Sequence, residues 1–305
     1  MESSGQSDRD ALTNVGSRPA AYGPAEWGLT ATVGLIWGSA FLWIAIGVDS
    51  LAPGVVAFGR VFLGGAALLT FPSARRRIER ADWPRILVIA IAGNAGPGLL
   101  FAVAETELDS VVAGMLTAAA PIISLVIASI LLRRLPGSAQ AFGISLGFVG
   151  IVLMTVPSLS GADAAPTGVI LVLIAVVGYG ISGNMLVPLQ QRYGGPAVTL
   201  WALAVSSVVL APFGFVTISE SEFRWQAIAA VVILGVLGTG VARSLAATLG
   251  GRVGAPRMST TAYLIPVVAI ALGVLFRHET VEPIAILGVV AVIGGAYWSS
   301  RAVGT

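Results

Sequence analysis

Long apolar blocks, separated by short polar breaks, fill this 305-residue sequence from Trp27 onwards. Crossing the roughly 30 Å hydrocarbon core of a bilayer takes about 20 helical residues, and ten blocks are of that size. They cover residues 27–47, 53–71, 86–104, 111–132, 139–157, 167–188, 197–218, 226–242, 258–276 and 283–300. Because the blocks are continuously apolar and do not alternate, we expect helices and not barrel strands.

Composition excludes a soluble fold independently. Charged residues make up 10% of the chain, against about 25% in a typical soluble domain, and the mean hydropathy is +0.91. Such a small number of charges cannot form a water-facing shell. We therefore predict an all-α integral membrane protein with ten transmembrane helices. The breaks between the blocks are too short to fold as domains. Any function must therefore lie within the helix bundle.

Several kinds of chemistry are excluded by residue types that the chain lacks. With no cysteine and a single histidine, it cannot form disulfides, a thiolate nucleophile or a multi-histidine metal site. With no lysine, it cannot form the phosphate-binding loop of an ATPase. We therefore expect no cofactor, no metal site and no catalytic residues, and we predict that the protein is not an enzyme.

The basic residues are distributed as in membrane proteins. All 17 are arginines and the formal net charge is only +2, so we expect no nucleic-acid partner. With a cytoplasmic N-terminus, thirteen of the fifteen arginines other than Arg60 and Arg243 lie on the cytoplasmic side. We predict a multi-pass protein of the cytoplasmic (inner) membrane with both termini in the cytoplasm. Residues 1–26 are predicted to be a flexible cytoplasmic tail.

Two halves of the sequence match each other at fixed offsets. An offset of 142 residues superposes Trp83 on Trp225, and an offset of 145 superposes Pro121 on Pro266. Each half holds five predicted helices, an odd number, so the second half must enter the membrane from the opposite side. Such inverted repeats are typical of secondary transporters, whose substrate site lies between the halves near the midplane. The two predicted five-helix repeats span residues 27–157 and 158–305.

Motifs along both halves resemble those of a known family. The run Leu-Ile-Trp-Gly-Ser-Ala-Phe over residues 35–41, followed by Arg60, is similar to the opening of the EamA-type permeases of the drug/metabolite transporter superfamily. Later in the chain, His-Glu ending at Glu279 resembles the family's Gly-Glu. The resemblance implies a ten-helix inner-membrane permease that moves small metabolites, often outward, without ATP. The first half departs from the pattern, since Arg134 stands where a Gly-Glu would place its glutamate.

Three charged residues in or beside the blocks each have two interpretations. Arg60 lies about seven residues, or roughly 10 Å, inside the second block, where a charge is costly unless paired or hydrated. It is either an anchor for a carboxylate or phosphate, or a structural clamp onto backbone carbonyls or Asp49. Arg243 either lines an inner vestibule or snorkels to the cytoplasmic surface. Glu105 is either a solvated loop charge or a proton carrier.

Amide and aromatic side chains inside the blocks are further candidates. Asn94 and Asn184 either bind polar substrate groups or join helices, which is the commoner use. Trp37, Tyr179 and Tyr263 either wall a cavity or pack in the core. The candidate substrate-binding residues are therefore Trp37, Arg60, Asn94, Tyr179, Asn184, Arg243 and Tyr263.

These features predict a secondary transporter, a permease that works as an exporter by alternating access. Arginines without acids inside the blocks favour anionic, zwitterionic or neutral small metabolites over cations. A non-transporting membrane scaffold or sensor and a membrane-embedded enzyme are the alternatives. Besides substrate and lipid bilayer, the sequence leaves open proton coupling and a homodimer through the small-residue surfaces around Gly143 and Gly288.

Overall fold

The computed structural model describes residues 23–132, 137–157, 165–253 and 258–301. Within these ranges the chain is helical, with short turns and no β-strand. Ten apolar helices lie in the described residues. They are α1 (Pro24–Val48), α2 (Pro53–Leu69), α3 (Arg80–Ala104), α4 (Ser110–Ile130), α5 (Ser138–Thr155), α6 (Pro166–Tyr193), α7 (Gly195–Val216), α8 (Trp225–Arg252), α9 (Thr261–Arg277) and α10 (Pro283–Arg301).

The surface of the bundle is that of a multi-pass membrane protein. Six helices, α1, α3, α4, α6, α7 and α8, have the length and hydropathy to cross a membrane, and the other four are apolar over shorter stretches. Large apolar side chains stand outward, including Val208, Val216 and Trp225, which are 75%, 76% and 73% exposed. Lipid can cover such a surface, whereas water cannot do so without cost.

Most helix bounds lie within about three residues of those of the predicted blocks, but α3 begins earlier than its block, at Arg80, α6 ends later, at Tyr193, and α8 ends later still. α1 begins at Pro24, inside the predicted tail, because proline is well accommodated at the first helical position; residues 1–22 lie outside the described part. α8 was predicted to end at residue 242 but continues to Arg252. Polar side chains such as Arg243 end the apolar block there, yet they do not interrupt the backbone hydrogen bonds of a helix.

α3 and α8 each contain a π-helical segment, Ile91–Ala95 and Leu234–Val241. In each segment one polar side chain, Asn94 or Thr239, donates a hydrogen bond to the backbone carbonyl five residues earlier, at 3.1 and 3.0 Å. The offset of 145 residues aligns these two side chains. The similarity of the two halves thus extends from sequence to local backbone geometry, and π segments are frequent at functional sites.

α5 and α10 cross at glycines that bring their backbones into contact. A Cβ added at Gly288 would lie 2.6 Å from the carbonyl oxygen of Gly150, and one added at Gly295 would lie 2.5 Å from that of Gly143. Only a residue without a side chain fits at such a crossing. The small-residue surface that the sequence offers for a homodimer is therefore used within the chain.

Candidate functional site

A cavity of about 200 Å³ lies between helices of both halves. One water needs roughly 10–15 Å³ by the same measure, so a small organic molecule fits. Apolar and aromatic side chains form most of its wall. The polar side chains in the lining are Arg60, Thr117, Ser124, Tyr179, Ser182, Arg243 and Thr261. The lining, as far as the chain is described, includes two guanidinium groups and no carboxylate.

The residues that line the cavity can be placed relative to the two ends of the bundle. We call the end that holds the turn from α2 to α3 and the C-terminal end of α8 the arginine end, and the opposite one the far end. The lining extends to Leu186 and Met258 near the arginine end. Towards the far end, Phe41 and Phe101 pack edge to face with ring centroids 5.5 Å apart. This aromatic pair forms part of the cavity wall on that side.

Arg60 projects from α2 into the cavity wall and is only 6% exposed. Its Nε donates a hydrogen bond to Oγ1 of Thr239, in the π segment of α8, at 3.2 Å. Asp49, which the sequence offered as its partner, pairs instead with Arg277, whose Nη2 donates to Oδ1 at 3.1 Å. Among the described residues no carboxylate lies within 4 Å of the Arg60 guanidinium. Arg60 thus contacts α8 and also faces the cavity.

Arg243 lies on α8 and supplies the second positive charge of the cavity. Its Cζ lies 5.6 Å from the ring centroid of Tyr179, a cation–π distance, and Tyr179 stacks on Phe101 at 5.9 Å. Its buried Nε has no hydrogen-bond partner in the described chain. Arg243 and Arg60 repel each other electrostatically. An unpaired donor and two neighbouring cations both favour an anion in this cavity.

The other predicted site residues divide between the cavity and its surroundings. Trp37 lines the cavity, and its Nε1 donates to the carbonyl oxygen of Gly238 in the π segment of α8 at 3.2 Å. Asn94, Asn184 and Tyr263 do not belong to the lining. Asn94 is buried inside α3 with Oδ1 unpartnered among the described residues, and Tyr263 packs against the hydrophobic core.

Asn184 joins two helices beside the cavity. Its Nδ2 donates to the backbone oxygens of Gly180 at 2.8 Å and of Ser124, on α4, at 3.2 Å. This is the use that the sequence analysis gave as the commoner one for an amide in a membrane helix. Its role in substrate binding stays a prediction.

Asn184→Ala is therefore expected to lower the free energy of unfolding, with a smaller effect on the free energy of substrate binding. Interhelical hydrogen bonds in membranes contribute about 0.6 kcal/mol on average and up to about 1.7, so we expect a loss of about 1 kcal/mol in thermal unfolding of the detergent-solubilised protein. The control is Thr32→Ala, whose exposed hydroxyl bonds only within its own helix. Unchanged stability together with lost substrate binding would instead make Asn184 a substrate ligand.

Sequence reasoning missed one residue beside the cavity, Thr239, and left Glu105 with two interpretations. Thr239 accepts a hydrogen bond from Arg60. The sequence repeat could have identified it, because Thr239 aligns with Asn94 at the offset of 145, and each of the two side chains donates to the carbonyl oxygen five residues earlier. The interpretation of Glu105 as a solvated loop charge is wrong, since this residue is only 7% exposed. Its burial depends on how α1, α3 and α9 meet, which no local pattern encodes.

Polar contacts join the two halves at the far end. Glu279 accepts hydrogen bonds from the backbone N–H groups of Ser110 at 3.1 Å and Val111 at 2.8 Å, and so caps the first turn of α4. The preceding His278 has φ 56°, in the left-handed region. Glycine adopts this region without cost, which gives a physical reason for the Gly-Glu pattern that His278 and Glu279 resemble. These hydrogen bonds of Glu279 join the end of α9 to the start of α4.

Comparison with known proteins agrees with this geometry. The sequence profile described as "EamA-like transporter family" matches residues 27–156 and again residues 166–301. A "Probable terminal-alkyne amino-acid exporter" of Streptantibioticus cattleyicolor is 27% identical, over 91% of this chain and 93% of the relative. A "Probable amino-acid metabolite efflux pump" of Salmonella typhimurium is 23% identical, over 88% of this chain and 92% of the relative.

A crystal structure matches with a TM-score of 0.64 at 18% identity, covering 92% of this chain and 99% of the other, so the two share a fold. The two segments that match the family profile together make up most of the sequence. The chain therefore belongs to the EamA-like transporter family and is a multi-pass membrane transporter.

Proposed function

We propose that the protein is a secondary transporter that exports small carboxylate-bearing metabolites by alternating access. The observation that carries this proposal is a cavity lined by Arg60 and Arg243 and by no described acidic residue. A carboxylate would pair with the guanidinium groups in fixed geometry. Anionic and zwitterionic cargo is favoured over neutral cargo, because neutral cargo would leave both cations uncompensated. Cationic cargo would be repelled.

The remaining wall favours an apolar body on that carboxylate. Trp37, Phe41 and Phe101 supply aromatic surface, and the hydroxyls of Thr117 and Ser124 are available to a polar substituent such as an α-ammonium. Two relatives carry names that refer to export of amino acids or their metabolites. We extend that substrate class to this chain as small amino acids with apolar side chains and the related acids.

The architecture proposed for this transport is two inverted five-helix repeats. The paired π segments of α3 and α8 and the glycine crossing of α5 with α10 support it. By the positive-inside rule the arginine end is cytoplasmic, with both termini on that side of the inner membrane. The cavity then faces the cytoplasm, and export requires the far end to open after the arginine end closes. A homodimer would need a surface other than the crossing of α5 and α10.

The two alternative functions fit the cavity less well. A scaffold or sensor needs no buried cations facing an internal space, since unpaired charges cost stability. A membrane-embedded enzyme needs a nucleophile with an acid or base, and the described lining contains neither a carboxylate nor a histidine. Transport uses both the charges and the space.

The test uses three small alkynes that differ only in their charged groups. Purified protein in proteoliposomes is expected to exchange L-propargylglycine, a zwitterion. In a binding assay, 4-pentynoate, which lacks the amine, is expected to compete with it, whereas but-3-ynylamine, which lacks the carboxylate, is not. No exchange of L-propargylglycine and no binding of 4-pentynoate would contradict the proposal, as would competition by the amine alone.

A further inference from the structure

Glu105 follows the membrane-spanning segment that ends at Ala104. It is 7% exposed, and neither carboxyl oxygen accepts a hydrogen bond from the described residues. The carboxyl is directed toward the backbone of Ala45 on α1, but outside hydrogen-bonding geometry. An ionised carboxylate without donors is costly to bury, so the neutral acid is favoured here. Burial accordingly raises the pKa of Glu105 well above its ordinary value.

Glu105 lies behind the wall of the cavity, on the side of the far end. Its backbone N–H donates to the carbonyl oxygen of Phe101, one helical turn earlier, at 2.9 Å. Gly98 lies two turns before Glu105, about 10 Å along the helix, and a Cβ added at Gly98 would lie 3.8 Å from Cδ of Arg60. All three residues of α3 share one face, since they are spaced by three and four. Phe101 therefore lies between Gly98 and Glu105 along this face, and Phe101 lines the cavity whereas Glu105 does not.

Charged groups on α2, on α9 and in the turn after α9 act on this carboxyl. Arg60 on α2 and Arg277 at the end of α9 favour its ionised form, while Glu279 opposes it. Asp49, at the end of α1, is paired with Arg277. The part of α6 at this end, residues 166–178, has no charged or titratable side chain, and the first titratable residue after it is Tyr179. None of the ion pairs in the described chain includes Glu105, so no described cation lies within ion-pair distance of its carboxyl group.

We propose that Glu105 is a proton-binding site that couples closure of the far end to proton uptake from the outer solution. This inference rests on the proposed transport function. When the far end opens, water reaches the carboxyl and stabilises its ionised form. Closure of the far end returns the carboxyl group of Glu105 to a buried environment without hydrogen-bond donors. A proton must therefore bind to the carboxylate before the far end closes. The closed state binds the proton more tightly than the open state, and low external pH therefore favours closure while high external pH opposes it.

The first test uses Glu105→Gln, which keeps the size of the side chain and is permanently neutral. Proteoliposomes are loaded with labelled L-propargylglycine, and its export is measured as external pH is varied at constant internal pH. Wild-type export is expected to fall as external pH rises, by about tenfold per pH unit where proton binding limits the rate. Glu105→Gln is expected to export at a rate independent of external pH. The matched control is Glu107→Gln, at an exposed residue of the same turn, which should follow the wild type.

A second readout does not require transport. Infrared spectra of the wild-type protein are expected to show the C=O band of a protonated carboxylic acid, and this band should disappear in Glu105→Gln but not in Glu107→Gln. An unchanged band, or a Glu105→Gln variant with the wild-type pH response, would overturn the proton site. Absence of L-propargylglycine export by the wild-type protein would count against the proposed function instead, and the infrared comparison would then decide the proton site alone.

Discussion

Arg60→Ala is expected to weaken binding of 4-pentynoate by about 100-fold. Removing one partner of a charge-assisted hydrogen bond costs roughly 1.5–3 kcal/mol, and each 1.4 kcal/mol is about tenfold in affinity. The reason is that Arg60 lines the cavity with no described carboxylate to neutralise it. Binding is measured by competition in detergent, alongside thermal unfolding of the same preparation.

Two further variants separate anchoring of the substrate from clamping of the helices. Thr239→Val removes the hydroxyl that accepts from Nε of Arg60 but leaves the charge. It is expected to lower affinity only several-fold. Arg60→Lys keeps the charge but loses the planar fork, so an intermediate affinity is expected. If Arg60→Ala unfolds the protein, or if it binds 4-pentynoate as tightly as the wild type, Arg60 is a clamp and not an anchor.

Gly288→Leu is expected to cause the largest loss of stability. A Cβ at this position would lie 2.6 Å from the carbonyl oxygen of Gly150 and 2.8 Å from the backbone nitrogen of Met154. Because backbone atoms cannot move aside as a flexible side chain can, α5 and α10 would have to separate. Overpacking of a tight core costs about 1–3 kcal/mol, and we expect the upper end of this range or more.

The matched control is Gly28→Leu. Gly28 is also helical, and an added Cβ there has no neighbour within 4 Å. Replacing an exposed helical glycine is expected to be neutral or stabilising by up to about 1 kcal/mol. Thermal unfolding in detergent compares the two variants. Equal midpoints for Gly288→Leu and the wild type would mean that α5 and α10 do not cross as described.

Positions of apolar helices could be predicted from the sequence, because the cost of exposing backbone groups to lipid leaves few alternatives to a helix. The end of α8 could not be predicted, since the apolar run stops at Ala242 while the helix continues to Arg252. Hydropathy depends on the side chains alone. The backbone hydrogen bonds of a helix beside a polar cavity continue across its polar residues.

The candidate site was predictable in part for a similar reason. Arg60 stands out in sequence because a charge inside an apolar block needs a special environment. Its partner Thr239 depends on the π segment of α8, which turns that hydroxyl toward α2. For Asn94 and Asn184 the sequence left two interpretations open, and in the structure their amide groups donate to the backbones of their own and neighbouring helices. Which way a polar side chain faces is decided by helix packing.

One measurement tests the central claim, that two halves of opposite orientation enclose the cavity. The chain has no native cysteine, so single cysteines can be introduced at Thr106 and Gly251, which the offset of 145 aligns at the ends of α3 and α8. Spheroplasts that produce each variant are treated with a membrane-impermeant maleimide. Thr106→Cys is expected to react in intact spheroplasts, and Gly251→Cys only after permeabilisation. Reaction of both cysteines from the same face would contradict the inverted arrangement and the alternating access that depends on it.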